Sequence, residues 1–167
     1  MKKMFIATVL GAVTPGVIKA LAEETREAGG EWITSKVIKV DHHFAALLKV
    51  AIEDDMSQPL KVQFERQFPK LTFLFEASSA APLSNVRELH LNVDCKDRPG
   101  LTREIVDVLV NLDLGIEHME FNRVHVSTIG QTVFTSKLTV LLPNEVSNES
   151  VVELLEGISK DLRVSII

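Results

Sequence analysis

Residues 95–101 read Cys95-Lys96-Asp97-Arg98-Pro99-Gly100-Leu101, and residues 10–17 read Leu10-Gly11-Ala12-Val13-Thr14-Pro15-Gly16-Val17. Each stretch follows an alternating apolar run and opens a run with helical spacing. Placing Gly16 on Gly100, an offset of 84, also puts Phe5 on Leu89, Val9 on Val93, Leu21 on Ile105 and Trp32 on Ile116. Phe44–Val50 matches Phe134–Val140 at an offset of 90, so the second copy carries six more residues. They fall between two strand-like runs, where a hairpin lengthens at small entropic cost. A self-similarity of this kind marks an internal duplication.

Each copy reads in the same order. Leu89, Leu91, Val93 and Cys95 alternate with His90, Asn92 and Asp94, the period of a half-buried strand. Leu101, Ile105, Val108, Leu109 and Leu112 follow at helical spacing, with Arg103, Glu104 and Asp107 on the other side. Pro99 suits a first helical turn, where a missing N–H costs nothing. Strand-like runs at 116–126 and 131–141, a helix around Val151–Ile158 and a strand at 164–167 complete the copy. In the first copy the corresponding elements are a strand at 3–10, a helix at 15–28, strands at 31–40 and 44–52, a helix at 59–68 and a strand at 71–76. Leu60, Phe64 and Phe68 fit the helix, although Leu60, Val62 and Phe64 also alternate.

The order β-α-β-β-α-β predicts an α+β fold of two ferredoxin-like domains, each a four-stranded antiparallel sheet with two helices on one face. Ala77–Asn85 has the small-residue, Pro-containing composition of a linker. The expected division is a first domain at 1–76, a linker at 77–85 and a second domain at 86–167. The bare face of each sheet must be solvated or covered, and a second chain is one cover, so a homo-oligomer is expected.

The net charge of −5, with no basic run, argues against direct nucleic-acid binding, which needs Lys and Arg to neutralise phosphates. No apolar stretch reaches membrane-spanning length. Met1-Lys2-Lys3 before an apolar run superficially resembles a signal peptide, but no small-x-small cleavage site follows and the repeat makes this run a buried strand. A lone cysteine, Cys95, forms no intramolecular disulfide, and the expected location is the reducing cytoplasm.

The two strand-to-helix turns resemble those of the ACT-domain regulators, in which a first strand ends in Asp-Arg-Pro-Gly followed by an apolar residue and a helix. The second copy has the tetrapeptide Asp97-Arg98-Pro99-Gly100; the first keeps Pro15-Gly16, with Val13-Thr14 in place of Asp-Arg. Glu31 and Gly115 stand where that family often has an Asn that helps hold an amino acid. The double arrangement is similar to the tandem regulators that repress glycine cleavage. The resemblance implies a regulatory protein, not an enzyme, that senses a small metabolite, an amino acid being one candidate. It also implies control of a partner protein in transcription, without contact to DNA.

The turns are the expected ligand site: Val13, Thr14, Pro15 and Gly16 in the first copy, and Asp97, Arg98, Pro99, Gly100 and Leu101 in the second. Glycine there permits a positive φ or a close backbone approach. The helix start behind it offers unpaired N–H groups and a positive dipole end to a carboxylate. Asp97 could receive a ligand ammonium, and Arg98 could pair with a carboxylate. The plain competing reading has Pro-Gly making the turn, Asp97 capping the helix and Arg98 on the surface. Because only the second turn carries both charges, a zwitterion is expected to bind chiefly there.

Other candidates have plain structural readings. Asp41-His42-His43 falls in a hairpin loop and lacks a third ligand at metal spacing. His118 and His125, seven apart on one strand, point to opposite faces. Cys95 reads as a small core hydrophobe and Trp32 as a core residue. No catalytic residue, metal or cofactor is expected. The rival to a metabolite sensor is a ligand-free interaction or dimerisation module.

Overall fold

A computed structural model of the chain describes residues 1–78 and 85–167, which form two compact units, one on each side of 79–84. The linker expected at 77–85 therefore lies mostly outside the described residues; Ala77 is the last residue of a strand.

The first unit runs β1 (Lys2–Ala12), α1 (Val17–Glu27), β2 (Glu31–Val40), β3 (His43–Glu53), α2 (Asp54–Gln67) and β4 (Thr72–Ala77). The second repeats this as β5 (Val86–Lys96), α3 (Leu101–Asn111), β6 (Gly115–Val126), β7 (Gln131–Pro143), α4 (Asn148–Glu156) and β8 (Arg163–Ile166). The sheet orders are β2-β3-β1-β4 and β6-β7-β5-β8, and every pairing is antiparallel. The expected βαββαβ duplication is present in full.

The six extra residues are shared between the strands and the turn of the second hairpin. The β6–β7 turn spans 127–130 where the β2–β3 turn spans 41–42, and each flanking strand is two residues longer. Asp41 at φ 52° makes the tight first turn, His42 sits in it, and His43 begins β3.

Strand alternation sends one face of each sheet to the helices. In the first unit, Phe5, Ala7 and Val9 of β1 meet Leu21 of α1 and Leu60 and Phe64 of α2, all buried. In the second, Leu91, Val93, Leu101, Ile105, Leu155 and Phe134 build the corresponding core. Burying each of the Val, Leu, Ile and Phe side chains contributes roughly 1.5–3 kcal/mol before the opposing chain entropy. Trp32 packs beside the first core, and its indole N–H donates to Thr25 Oγ1 at 3.0 Å. Cys95 is buried, and burial first of all raises its thiol pKa.

The opposite faces differ in character. On the first sheet Met4, Leu10, Ile38, Leu47 and Leu74 are exposed. On the second, the same face carries His90, Asn92, Asp94, Lys137 and Thr139, with His90 Nδ1 3.0 Å from Thr139 Oγ1.

Some element boundaries depart from expectation. α2 begins at Asp54, five residues before Pro59, which lies inside the helix. Asp54 and Asp55 occupy the first turn, where the helix dipole favours them, and this outweighs the preference of proline for a helix start. Pro15 and Pro99 precede their helices, because Gly16 and Gly100 are the N-cap residues. Among the described residues no helix is long and apolar enough to cross a membrane.

Candidate functional site

Both turns are built by their glycines. Gly16 has φ 75° and Gly100 φ 90°, the left-handed region that side chains with a Cβ rarely adopt. Neither helix start receives a side-chain cap. Asp97 is therefore not the cap. Its backbone N–H donates to Thr132 O at 2.9 Å, and its Oδ1 accepts from Arg123 Nε at 3.1 Å. The Arg123 guanidinium lies 5.4 Å from the centre of the Phe134 ring.

Arg98 is held as firmly. Its Nη1 and Nη2 donate to Glu104 Oε1 and Oε2 at 3.2 and 2.6 Å, a two-pronged pair. Nη2 also reaches Ile158 O at 3.3 Å, beyond the end of α4. The hydrogen bond from Arg98 holds the Glu104 carboxyl below its ordinary pKa, and the same bond raises that of Arg98. Nearby, Asp161 Oδ2 accepts from the Lys96 backbone N–H at 2.8 Å and Oδ1 from Ser159 Oγ at 2.7 Å. The Ser159 hydroxyl first, then the Lys96 N–H, lowers the Asp161 pKa.

Pro99 and Gly100 are exposed beside these groups, while Leu101 is fully buried. Leu101 thus belongs to the core and can present only its backbone. Asp97, Arg98, Pro99 and Gly100 are brought together on one surface, with both charges already paired inside the unit.

The first turn is plainer and more open. Val13 N–H donates to His42 O at 2.8 Å, the counterpart of the Asp97–Thr132 bond. Val13, Thr14, Pro15 and Gly16 are all exposed, and no atom lies within 4 Å of a Cβ placed on Gly16. Behind the turn lies a pocket of about 290 Å³, bounded by Ala12, Thr14 and Val17 on one side and by Phe68, Lys70 and Leu71 on the other. Sequence reasoning did not find it. Its lower wall follows α2, some 55 residues away (Thr14 to Pro69), and only the fold brings the two together. Among the described residues no group of three His, Cys, Asp or Glu is placed to hold a metal ion.

Residues 3–78, the first unit, match the family model described as ACT domain. The first unit is an ACT domain. The matched copy is the one that keeps only Pro15-Gly16; the full Asp-Arg-Pro-Gly lies in the second unit of the tandem. Two solved structures resemble this chain along its whole length. One is an unknown protein from Galdieria sulphuraria, at TM-score 0.86 and 18% identity, covering 100% of this chain and 99% of that one. The other is titled a "putative glycine cleavage system transcriptional repressor", at TM-score 0.75 and 12% identity, covering 100% and 98%. At such identities the likeness is one of fold. Among proteins of curated function none matches the chain.

Proposed function

We propose that this ACT protein is a regulatory module that senses a small metabolite and passes the signal to a partner protein in transcriptional control of amino-acid metabolism, glycine cleavage being the first pathway to test. The observation that carries this reading is the pair of charges at the second turn, Asp97 and Arg98, set beside an exposed glycine. An amino acid brings an ammonium and a carboxylate. It would take the place of Arg123 at Asp97 and of Glu104 at Arg98, exchanging internal ion pairs for external ones. Breaking the Arg98 bonds would also release the tie from the turn to Ile158 O. The released Glu104 and Arg123 would change the surface offered to a partner, which is a differential contact of the kind any ligand-driven switch requires.

The tandem architecture shared with the structure named as a repressor supports a regulatory role. The acidic balance supports action through a protein without contact to DNA. The apolar residues on the open face of the first sheet support a homo-oligomer. A cytoplasmic location and the absence of a catalytic role belong to the same reading.

Capture from a native lysate on the immobilised chain, with and without added glycine, tests it. The expected result is a transcriptional activator whose retention changes with the amino acid, and no duplex DNA retained by the purified chain alone. Retention indifferent to every amino acid would contradict it. A second reading, a ligand-free interaction module, is favoured by one observation: Asp97 and Arg98 already have internal partners.

A further inference from the structure

The two copies fill the space between their first turn and their last loop differently. In the second unit Arg98 crosses from the turn to Ile158 O, and the Asp161 carboxylate sits on the Lys96 backbone N–H. That space holds a carboxylate supplied by the chain itself. The last loops correspond in detail: Leu162 N–H donates to Ser159 O at 3.2 Å, and Leu71 N–H donates to Phe68 O at 3.0 Å. Leu71 therefore answers to Leu162, Lys70 to Asp161, Thr14 to Arg98 and Ala12 to Lys96.

In the first unit both fillers are gone. The short Thr14 replaces the bridging arginine, and a lysine replaces the carboxylate. What remains is the pocket of about 290 Å³. Bonding alternates along an antiparallel ladder, so with Val13 N–H given to His42 O, on the β3 side of β1, the Ala12 N–H points to the opposite, pocket side. Lys70 has no ion-pair partner among the described residues. The rest of the lining is largely apolar, from Val17, Phe68 and Leu71.

We infer that this pocket binds a small organic monocarboxylate with a short apolar body. The ligand carboxylate takes the place that Asp161 fills in the second copy: it accepts from the Ala12 N–H and pairs with Lys70. The apolar body lies against Val17, Phe68 and Leu71. The volume equals roughly ten water molecules at about 30 Å³ each, which suits a metabolite of amino-acid size. No acidic residue lines the pocket, so an ammonium on the ligand finds no counter-charge. The preferred class is a simple or 2-oxo acid, ahead of the corresponding amino acid. This site is separate from the turn at Gly100 and does not rest on the metabolite proposed there.

The test is a titration of the full, ¹⁵N-labelled chain with isovalerate and, separately, with L-leucine, followed by amide chemical shifts. Isovalerate is expected to move the amides of Ala12, Thr14, Lys70 and Leu71 while leaving those of Asp97, Arg98 and Gly100 unmoved, and to bind more tightly than L-leucine. Lys70→Asp installs the carboxylate that the second copy carries, and should weaken isovalerate about tenfold or more, the cost of losing a charged hydrogen bond and meeting a like charge. Lys70 and Thr14 are exposed, so Lys70→Asp and the pocket-filling Thr14→Phe should both keep the fold, which their melting curves check. Saturable binding by the wild type, lost in both variants, supports the inference. No shift at millimolar isovalerate, or equal binding by the wild type and both variants, overturns it. Shifts confined to the Gly100 turn overturn it as well, and would instead favour the site at Asp97 and Arg98.

Discussion

Gly16 and Gly100 answer to the same backbone demand and differ in their surroundings. A β-branched residue in the left-handed region costs about 1–2 kcal/mol or more, so Gly16→Val and Gly100→Val should lower the melting temperature by similar amounts. The space around them permits this comparison: nothing lies within 4 Å of a Cβ at Gly16, and at Gly100 the nearest atom is Glu104 Oε1 at 3.7 Å. If an amino acid binds chiefly at the second turn, only Gly100→Val should also lose affinity in a calorimetric titration; equal losses in both variants would refute that asymmetry. Glu104 offers a pH test. Its carboxyl is held below the ordinary value of 4.5 by Arg98, so its stabilising contribution is present above that value and fades as pH falls through the lower folded-state pKa. The gap in melting temperature between wild type and Glu104→Gln should therefore be open near neutrality and close in acid well below pH 4.5. A gap unchanged by acid would mean that the pair does not stabilise the fold. The need for glycine was legible in the sequence because a strand turning at once into a helix leaves few other choices. The partners of Asp97 and Arg98 were not: Arg123 is 26 residues from Asp97 on another strand, and Ile158 is 60 residues from Arg98.

Elements whose signal is local periodicity were read correctly from the sequence, and boundaries set by competing local preferences were not. β2 falls on 31–40 as expected, and the alternation of Leu89 to Cys95 gives β5 its buried face. For the start of α2, Pro59 is a stronger written signal than Asp54-Asp55, yet the helix follows the acidic first turn. α4 began earlier than its apolar spacing suggested, because Ser147 caps it: the Ser147 Oγ accepts from Ser150 N–H at 3.1 Å. Removing that cap in Ser147→Ala should destabilise the protein by about 1 kcal/mol, measured by denaturant unfolding. A change within error would show that water or a neighbouring group replaces the cap. The hairpin of the second copy illustrates a further limit. Its six extra residues were expected in the loop, but the structure spends them on both strands and the turn together, since paired backbone is satisfied in a longer ladder and a long loop is not.

At the scale of the whole molecule, one duplicated unit has diverged in how it treats the same corner. The second copy spans it with Arg98, Glu104 and Asp161, and the first has a pocket beside Thr14 and Lys70. The duplication itself was legible, because a repeated Pro-Gly between matching apolar patterns survives divergence of most other positions. The pocket was not, because it depends on which side chains fail to fill a space that only the fold creates. In the proposed function this tandem protein is a metabolite sensor whose charged turn exchanges internal partners for a ligand. Calorimetric titration of the full chain with a panel of amino acids that includes glycine, repeated with Arg98→Gln, tests it most directly. Saturable heat is expected with at least one member of the panel, and its loss in the variant; no heat from any amino acid, or the same heat from wild type and variant, would contradict a sensor at this turn.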